Sequence, residues 1–159
     1  MTELRLREAV RGIIVDDDDR VLLVKYVFPS GAERWGTPGG GLDPGETHED
    51  GLRRELFEEL GLRDVEIGPH VWNRVHIFPM VSGHDGQRDR FHLLRMPHFE
   101  PVPMIGWERL RAEFVYDIRW WPLDEIDRSP ERFVPAQLAP LLRRLLADGP
   151  PGNPLDVGT

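Results

Sequence analysis

The stretch from Thr47 to Gly61 allows one local structure, and the rest of the chain must be arranged around it. Thr47 can cap a helix, with Asp50 three residues on as the reciprocal partner of a capping box. Gly61 suits the left-handed residue that ends a helix, and Leu62 can fold back on the last turn. The spacing therefore predicts a helix over His48–Leu60. At 100° per residue Leu52, Leu56 and Leu60 form an apolar stripe, while Glu55, Glu58 and Glu59 share a neighbouring arc. Like charges at these spacings repel, and the two later glutamates stand at the negative end of the helix dipole. Alone, three glutamates read as a solvated acidic face eased by Arg54 and Arg63. A bound divalent cation would instead turn the repulsion into binding energy, since hard cations take oxygen ligands.

The spacing of the whole stretch favours the cation. Gly40, Glu46, then Arg54-Glu55-Leu56-Phe57-Glu58-Glu59-Leu60-Gly61-Leu62 resembles the signature box of the Nudix hydrolase family, G-x5-E-x7-R-E-U-x-E-E-x-G-U with U aliphatic. All nine fixed positions match, although the box covers only 23 of 159 residues. The resemblance implies an α/β fold, an α/β/α sandwich around a central mixed β-sheet. It also implies hydrolysis of a nucleoside diphosphate linked to another group by water attack on phosphorus, with Mg2+ as cofactor and Mn2+ as substitute. By position, Glu58 and Glu59 resemble the principal metal ligands, and Glu55 a ligand that can also accept the proton of the attacking water. The carbonyl of Gly39, just before the box glycine, resembles a further ligand. The family draws its general base from the box or from a downstream loop; here Glu113 is the downstream candidate, and a candidate metal ligand as well, ahead of Glu100 and Glu108. Arg54 and Glu46 resemble a pair that braces the loop against the helix.

Around this box the chain reads as a single domain over residues 1–148, followed by a Pro/Gly-rich tail at 149–159 that is extended or mobile. A net charge of −8 argues against a nucleic-acid backbone as the main partner. The absence of cysteine rules out disulfides and a thiolate nucleophile and leans toward the cytoplasm. No signal-peptide pattern opens the chain, and no apolar run approaches membrane-spanning length.

Leu4 to Val15 contains a strand, with Val10, Gly12 and Ile14 on one face and Arg11, Ile13 and Val15 on the other. Asp16 to Arg20 reads as a solvated turn into a strand over Val21–Phe28. Consecutive carboxylates cannot all aim at one ion, so the aspartate run is not a metal loop. Val65–Ile67 and Val71–Phe78 read as strand broken at Gly68-Pro69, with Trp72, Arg74, His76 and Phe78 on a face that could bind a nucleotide. Ser82 to Asp89 reads as a loop, Phe91–Met96 as a strand, and Trp107 to Phe114 as helix or loop. Tyr116–Pro122 is a last strand, with Trp120 and Trp121 packing in or around the core. Leucines at helical spacing over Pro135 to Ala147 predict a packing helix, kinked or restarted at Pro140.

Substrate choice lies outside the box. Arg11, Arg34 and Arg74, with Lys25, are the candidate phosphate or base contacts for a small-molecule nucleotide, and each also reads as an ordinary surface or ion-pairing residue. Nucleoside triphosphates, oxidised nucleotides, ADP-ribose and nucleotide sugars remain open. The alternative is a module of the same fold that senses a nucleotide or ADP-ribose without cleaving it. The intact carboxylate set and the lack of an attached DNA-binding region argue against that. No membrane partner is implied, and homodimers are frequent in the family.

Overall fold

The computed structural model describes residues 3–158; Met1, Thr2 and Thr159, at the ends of the expected domain and tail, lie outside it. Ten residues that send Val10 and Ile14 to one core and Ile13 and Val15 to the other form β1 (Leu6–Val15), which runs parallel to β6 (Gly86–Arg95) in unbroken register from Leu6↔Gly86 to Val15↔Arg95. The other strands are β2 (Arg20–Val27), β3 (Glu33–Gly36), β4 (Gly39–Gly41), β5 (His70–Ile77), β7 (Val115–Pro122), β8 (Phe133–Val134) and β9 (Leu155–Asp156). They form one mixed sheet in the order β8-β3-β2-β1-β6-β5-β9, with β4 on β1 and β7 on β2. Toward β2, β1 gives the pairs Ala9–Arg11 to β4 and meets β2 only at Val15↔Val21. The sheet therefore divides between Arg11 and Tyr26, and the division receives the polar side chains described below.

Helix α1 (His48–Leu60) covers one face. Leu52, Leu56 and Leu60 are fully buried there against Val10, Ile14, Leu22 and Leu94, each contributing roughly 1.5–3 kcal/mol of apolar burial. On the opposite face α3 (Leu123–Arg128) and α4 (Leu138–Asp148) bury Ile126, Leu138, Leu142 and Leu145 against Ile13, Val15, Leu23, Trp72 and Trp121. This is the layered α/β/α arrangement that the sequence predicts. The short α2 (Trp107–Ala112) sets Leu110 against Val24 and Val115. Among the described residues no helix is long and apolar enough to cross a membrane.

Several local expectations change. Thr47 accepts from the Asp50 amide at 3.1 Å, but the Asp50 carboxylate turns to Arg53 at 3.3 Å, so only half of the capping box forms. Asp16 is buried: its carboxylate accepts from the amides of Asp18 and Arg20, from Arg20 Nε and from the ring of His98. Only Asp17, Asp18 and Asp19 form the solvated turn. No strand forms at residues 65–67, which run as loop against α1. Gly86–Asp89 belong to β6 rather than to a loop, because the parallel edge of β1 satisfies their backbone. Trp72 packs into the core between β9 and α4 rather than beside the glycine turn. Leu123–Arg128, for which the sequence predicts no helix, is helical. Pro140 sits in the first turn of α4, where its missing N–H has no intrahelical partner, so the helix begins at Leu138 without a break. The extended tail docks: Leu155–Asp156 add β9 to β5, and Val157 N–H donates to the Asn73 carbonyl at 2.9 Å.

Candidate active site

The glycine turn and α1 meet where the sheet divides. Gly39, Gly40 and Gly41 pair with Arg11, Val10 and Ala9, which lays bare backbone against the buried arc of the helix. A Cβ on Gly40 would stand 2.7 Å from Glu55 Oε1, so the absence of a side chain there lets the Glu55 carboxylate reach the turn. Gly39 N–H donates to Glu59 Oε1 at 3.1 Å. The other oxygen, Glu59 Oε2, is buried and has no partner. Burial, then the nearby Glu55 carboxylate, push the Glu59 carboxyl well above the ordinary carboxylate range. Glu58 is raised for the same two reasons.

Arg54 holds the acidic side chains in place. Its Nε and Nη2 form a two-pronged contact with Glu46 at 2.9 Å each, and Nη2 also donates to the Gly41 carbonyl at 3.1 Å. Nη1 reaches Glu55 Oε1 at 3.0 Å and Glu58 Oε2 at 3.4 Å. The hydrogen bonds to Arg54 hold the Glu46 carboxyl below its usual range. Asp43, which the sequence reading did not single out, adds a carboxylate 3.2 Å from Arg54 Nε.

The donor set fits a hard divalent cation: three carboxylates on one helix arc, a buried carboxylate oxygen without a partner, and the adjacent Gly39 carbonyl. Among the described residues no three acidic or histidine side chains close around one point. Arg54 Nη1 bridges Glu55 and Glu58, and it must give way for the carboxylates to converge on an ion. The Gly39 carbonyl accepts from Arg11 Nη1 at 3.1 Å, which leaves it one further lone pair.

Glu113 arrives from the other side of the helix end. The carbonyls of Glu58 and Leu60, which lack partners within α1, accept from the amides of Met104, Ile105 and Val102. This anchors the loop that leads into α2, and Glu113 is the residue that ends α2. Glu113 is exposed, and its carboxyl is raised by partial burial and then by the charges of Glu55 and Glu58. Glu108 is exposed on α2, and Glu100 pairs with His98 beside the Asp16 turn, away from this set.

Of the arginine candidates, Arg11 enters the division of the sheet, where Nη1 donates to the Tyr26 hydroxyl at 2.8 Å. Burial lowers its pKa, but the surrounding Tyr26, Asp89 and Glu59 outweigh that and keep the guanidinium charged. Arg74 joins Arg11 through Asp89, a residue expected in a loop. The signal for Asp89 was present: Gln87, Asp89, Phe91 and Leu93 alternate as one strand face. Arg34 stands opposite Tyr26 on β3 and donates to its neighbour's carbonyl, that of Glu33. Lys25 lies 3.7 Å from Glu33 in the same pair of strands.

Comparison with known proteins agrees with this geometry. A family model described as the NUDIX domain matches residues 5–145. An RNA pyrophosphohydrolase of Helicobacter pylori (strain G27) is 33% identical over 114 residues, spanning 65% of this chain and 72% of the relative. A MutT NUDIX hydrolase from Burkholderia pseudomallei superposes with a TM-score of 0.65 at 25% identity, over 89% of this chain and 98% of that one. The NUDIX domain of Shewanella oneidensis NrtR, solved with ADP ribose, gives a TM-score of 0.67 at 23% identity over 91% and 90% of the two chains, a likeness of fold. With the box running from the glycine turn through α1, its glutamates gathered at that turn and the match extending from β1 into α4, the chain belongs to the Nudix family and is a Nudix hydrolase.

Proposed function

We propose that this chain hydrolyses the diphosphate linkage of a nucleoside diphosphate joined to another group, with Mg2+ as cofactor, Mn2+ as substitute, and water as nucleophile. The observation that carries this reading is the buried, unpartnered Glu59 Oε2 beside Glu55 and Glu58. Such an arrangement is unfavourable in a protein that binds no cation there.

Glu55, Glu58 and Glu59 hold the ion together with the Gly39 carbonyl. The bound cation supplies charge neutralisation at the phosphate oxygens and a more acidic water. Glu113, at the end of α2, takes the proton of the attacking water. Arg54 and Glu46 brace the glycine turn against the helix without touching substrate. Arg11 meets phosphate oxygens at the Gly39 end of the site, Arg74 extends that contact along the sheet, and Arg34 flanks it beside Tyr26. The cysteine-free composition suits work in the cytoplasm.

A second reading is favoured by the relatives named RNA pyrophosphohydrolase: the diphosphate could belong to the 5′ end of an RNA. The net charge of −8 opposes it, since a phosphate backbone would be repelled outside the site.

The test is a phosphate- and nucleotide-release screen with Mg2+ over nucleoside triphosphates, ADP-ribose, nucleotide sugars and a 5′-triphosphorylated RNA, beside Glu58→Gln, Glu59→Gln and Glu46→Gln. Metal-dependent release is expected from one class, nearly abolished in the first two variants and reduced less in the third. Equal losses at Glu46 and Glu58 with folding intact would overturn the bracing role. Tight nucleotide binding without turnover would replace the hydrolytic reading with a sensor.

A further inference from the structure

Strand β1 carries β4 and the glycine turn on one edge and β6 on the other, and beyond that second edge two histidines stand together. His70 of β5 is directly opposite His92 of β6. Their ring centroids are 5.5 Å apart and their planes differ by 29°. His92 is 4% exposed and His70 is half-buried. The reaction outlined above uses neither ring.

Each ring commits one nitrogen to a fixed acceptor. His92 Nδ1 lies 2.8 Å from the Gly68 carbonyl, which can only accept, so the proton sits on Nδ1 and Nε2 presents a lone pair. Burial holds this ring below the usual histidine range, so the neutral form prevails at pH 7. Nε2 is itself buried and has no partner among the described residues. His70 Nε2 lies 2.7 Å from Asn73 Oδ1, again an acceptor, which leaves Nδ1 as a second lone pair. The Gly68 carbonyl is held in place: a Cβ on Gly68 would collide with the Leu93 carbonyl, and Leu93 N–H donates to the adjacent Pro69 carbonyl at 3.0 Å. A histidine that donates from one nitrogen to an amide oxygen and leaves the other bare has the arrangement that orients a metal ligand.

A bare, buried imidazole nitrogen calls for an electron-pair acceptor. An anion would be repelled by the lone pair, whereas a divalent ion of the first transition row takes imidazole readily and hard Mg2+ does not. Metal–nitrogen bonds of about 2.0–2.1 Å at a tetrahedral angle set two ring centres about 5 Å apart, close to the 5.5 Å found. Of the charged side chains around His92, Arg90 opposes a cation and Glu49 favours one.

We propose that His70 Nδ1 and His92 Nε2 form a site for a transition-metal dication of the zinc class, separate from the carboxylate cluster, with Asn73 and the Gly68 carbonyl orienting the rings. Among the described residues no third acidic or histidine side chain joins them at one point, so water completes the coordination. The ion ties β5 to β6 where their register shifts between His70 and Trp72.

The experiment titrates Zn2+ by calorimetry, in excess Mg2+, into the wild type and into His70→Gln, His92→Gln, Asn73→Ala and Glu59→Gln. One zinc ion per chain is expected to bind despite the Mg2+, with an affinity changed by no more than about twofold in Glu59→Gln. Asn73→Ala should weaken it about 10- to 100-fold, the effect of losing an orienting partner, and either histidine variant should weaken it more. Thermal unfolding needs no turnover: Zn2+ at about a hundredfold excess over its dissociation constant should raise Tm by about 8 °C in the wild type and not in His70→Gln. Because His70 is only half-buried, His70→Gln keeps the fold even where loss of the buried His92 does not, and it decides the question alone. Absence of zinc binding in excess Mg2+, or equal binding in the wild type and His70→Gln, would overturn the site. Binding lost in Glu59→Gln but kept in both histidine variants would overturn it too, and would assign the ion to the carboxylate cluster.

Discussion

Replacing Arg54 by alanine tests whether this guanidinium occupies, in the metal-free protein, the electrostatic role that a cation takes over. Arg54 makes two contacts of 2.9 Å to Glu46 and one of 3.0 Å to Glu55. Its side chain is 27% exposed and those of its two partners 15% and 11%. Charge-assisted hydrogen bonds contribute about 1.5–3 kcal/mol each when buried, and partial exposure reduces that to roughly 1 kcal/mol each. Arg54→Ala should therefore destabilise the protein by about 3 kcal/mol in EDTA, a fall in Tm of about 9 °C for a chain of this length. Saturating Mg2+ binds the same carboxylates and stabilises the native state by mass action. It should reduce the difference to roughly 1 kcal/mol, because the variant no longer has Arg54 Nη1 between Glu55 and Glu58. Thermal unfolding of both proteins in EDTA and in Mg2+ measures all four values. A fall of under about 2 °C in EDTA, or the same fall with and without Mg2+, would refute the reasoning.

Two further outcomes follow from the same geometry. Gly40→Ala places a Cβ 2.7 Å from Glu55 Oε1 and 2.9 Å from its Cδ; the flexible carboxylate yields, so the protein should fold with Tm within about 3 °C while turnover falls at least tenfold, and near-normal turnover would contradict the placement of Glu55. Stability in EDTA should rise as pH falls from 7 toward the ordinary carboxylate value of 4.5, because Glu58, Glu59 and Glu113 are raised mainly by burial and take up protons in the native state first. It should fall again at lower pH as Asp16 and Glu46, held low by their hydrogen bonds, protonate. In Mg2+ the upper limb should reverse, since binding needs the carboxylates ionised; a Tm in EDTA that declines steadily from pH 7 would show that the glutamates are not crowded as described.

The helix His48–Leu60, its caps and the arc that joins Glu55, Glu58 and Glu59 were legible from the sequence, because capping, periodicity and the box depend on residues close together in the chain. The same holds for the packing helix and for the alternation of β1. Errors arose where distant partners decide the local structure. Residues 65–67 have a strand composition but no strand to pair with, and Gly86–Asp89 have a loop composition but pair with β1. The run Asp16–Asp19 looks uniformly solvated until His98, 82 residues away from Asp16, closes over its first member.

By itself the sequence determined the family, the carboxylate set and the layered fold, since each rests on local spacing that no tertiary partner has to supply. Only the tertiary structure decided that the sheet divides at Arg11, that Glu59 Oε2 is buried without a partner, and that Asp89 holds Arg11 and Arg74 together. Those facts depend on which strands lie side by side, and contacts between residues nearly 80 positions apart leave no periodic trace in the chain.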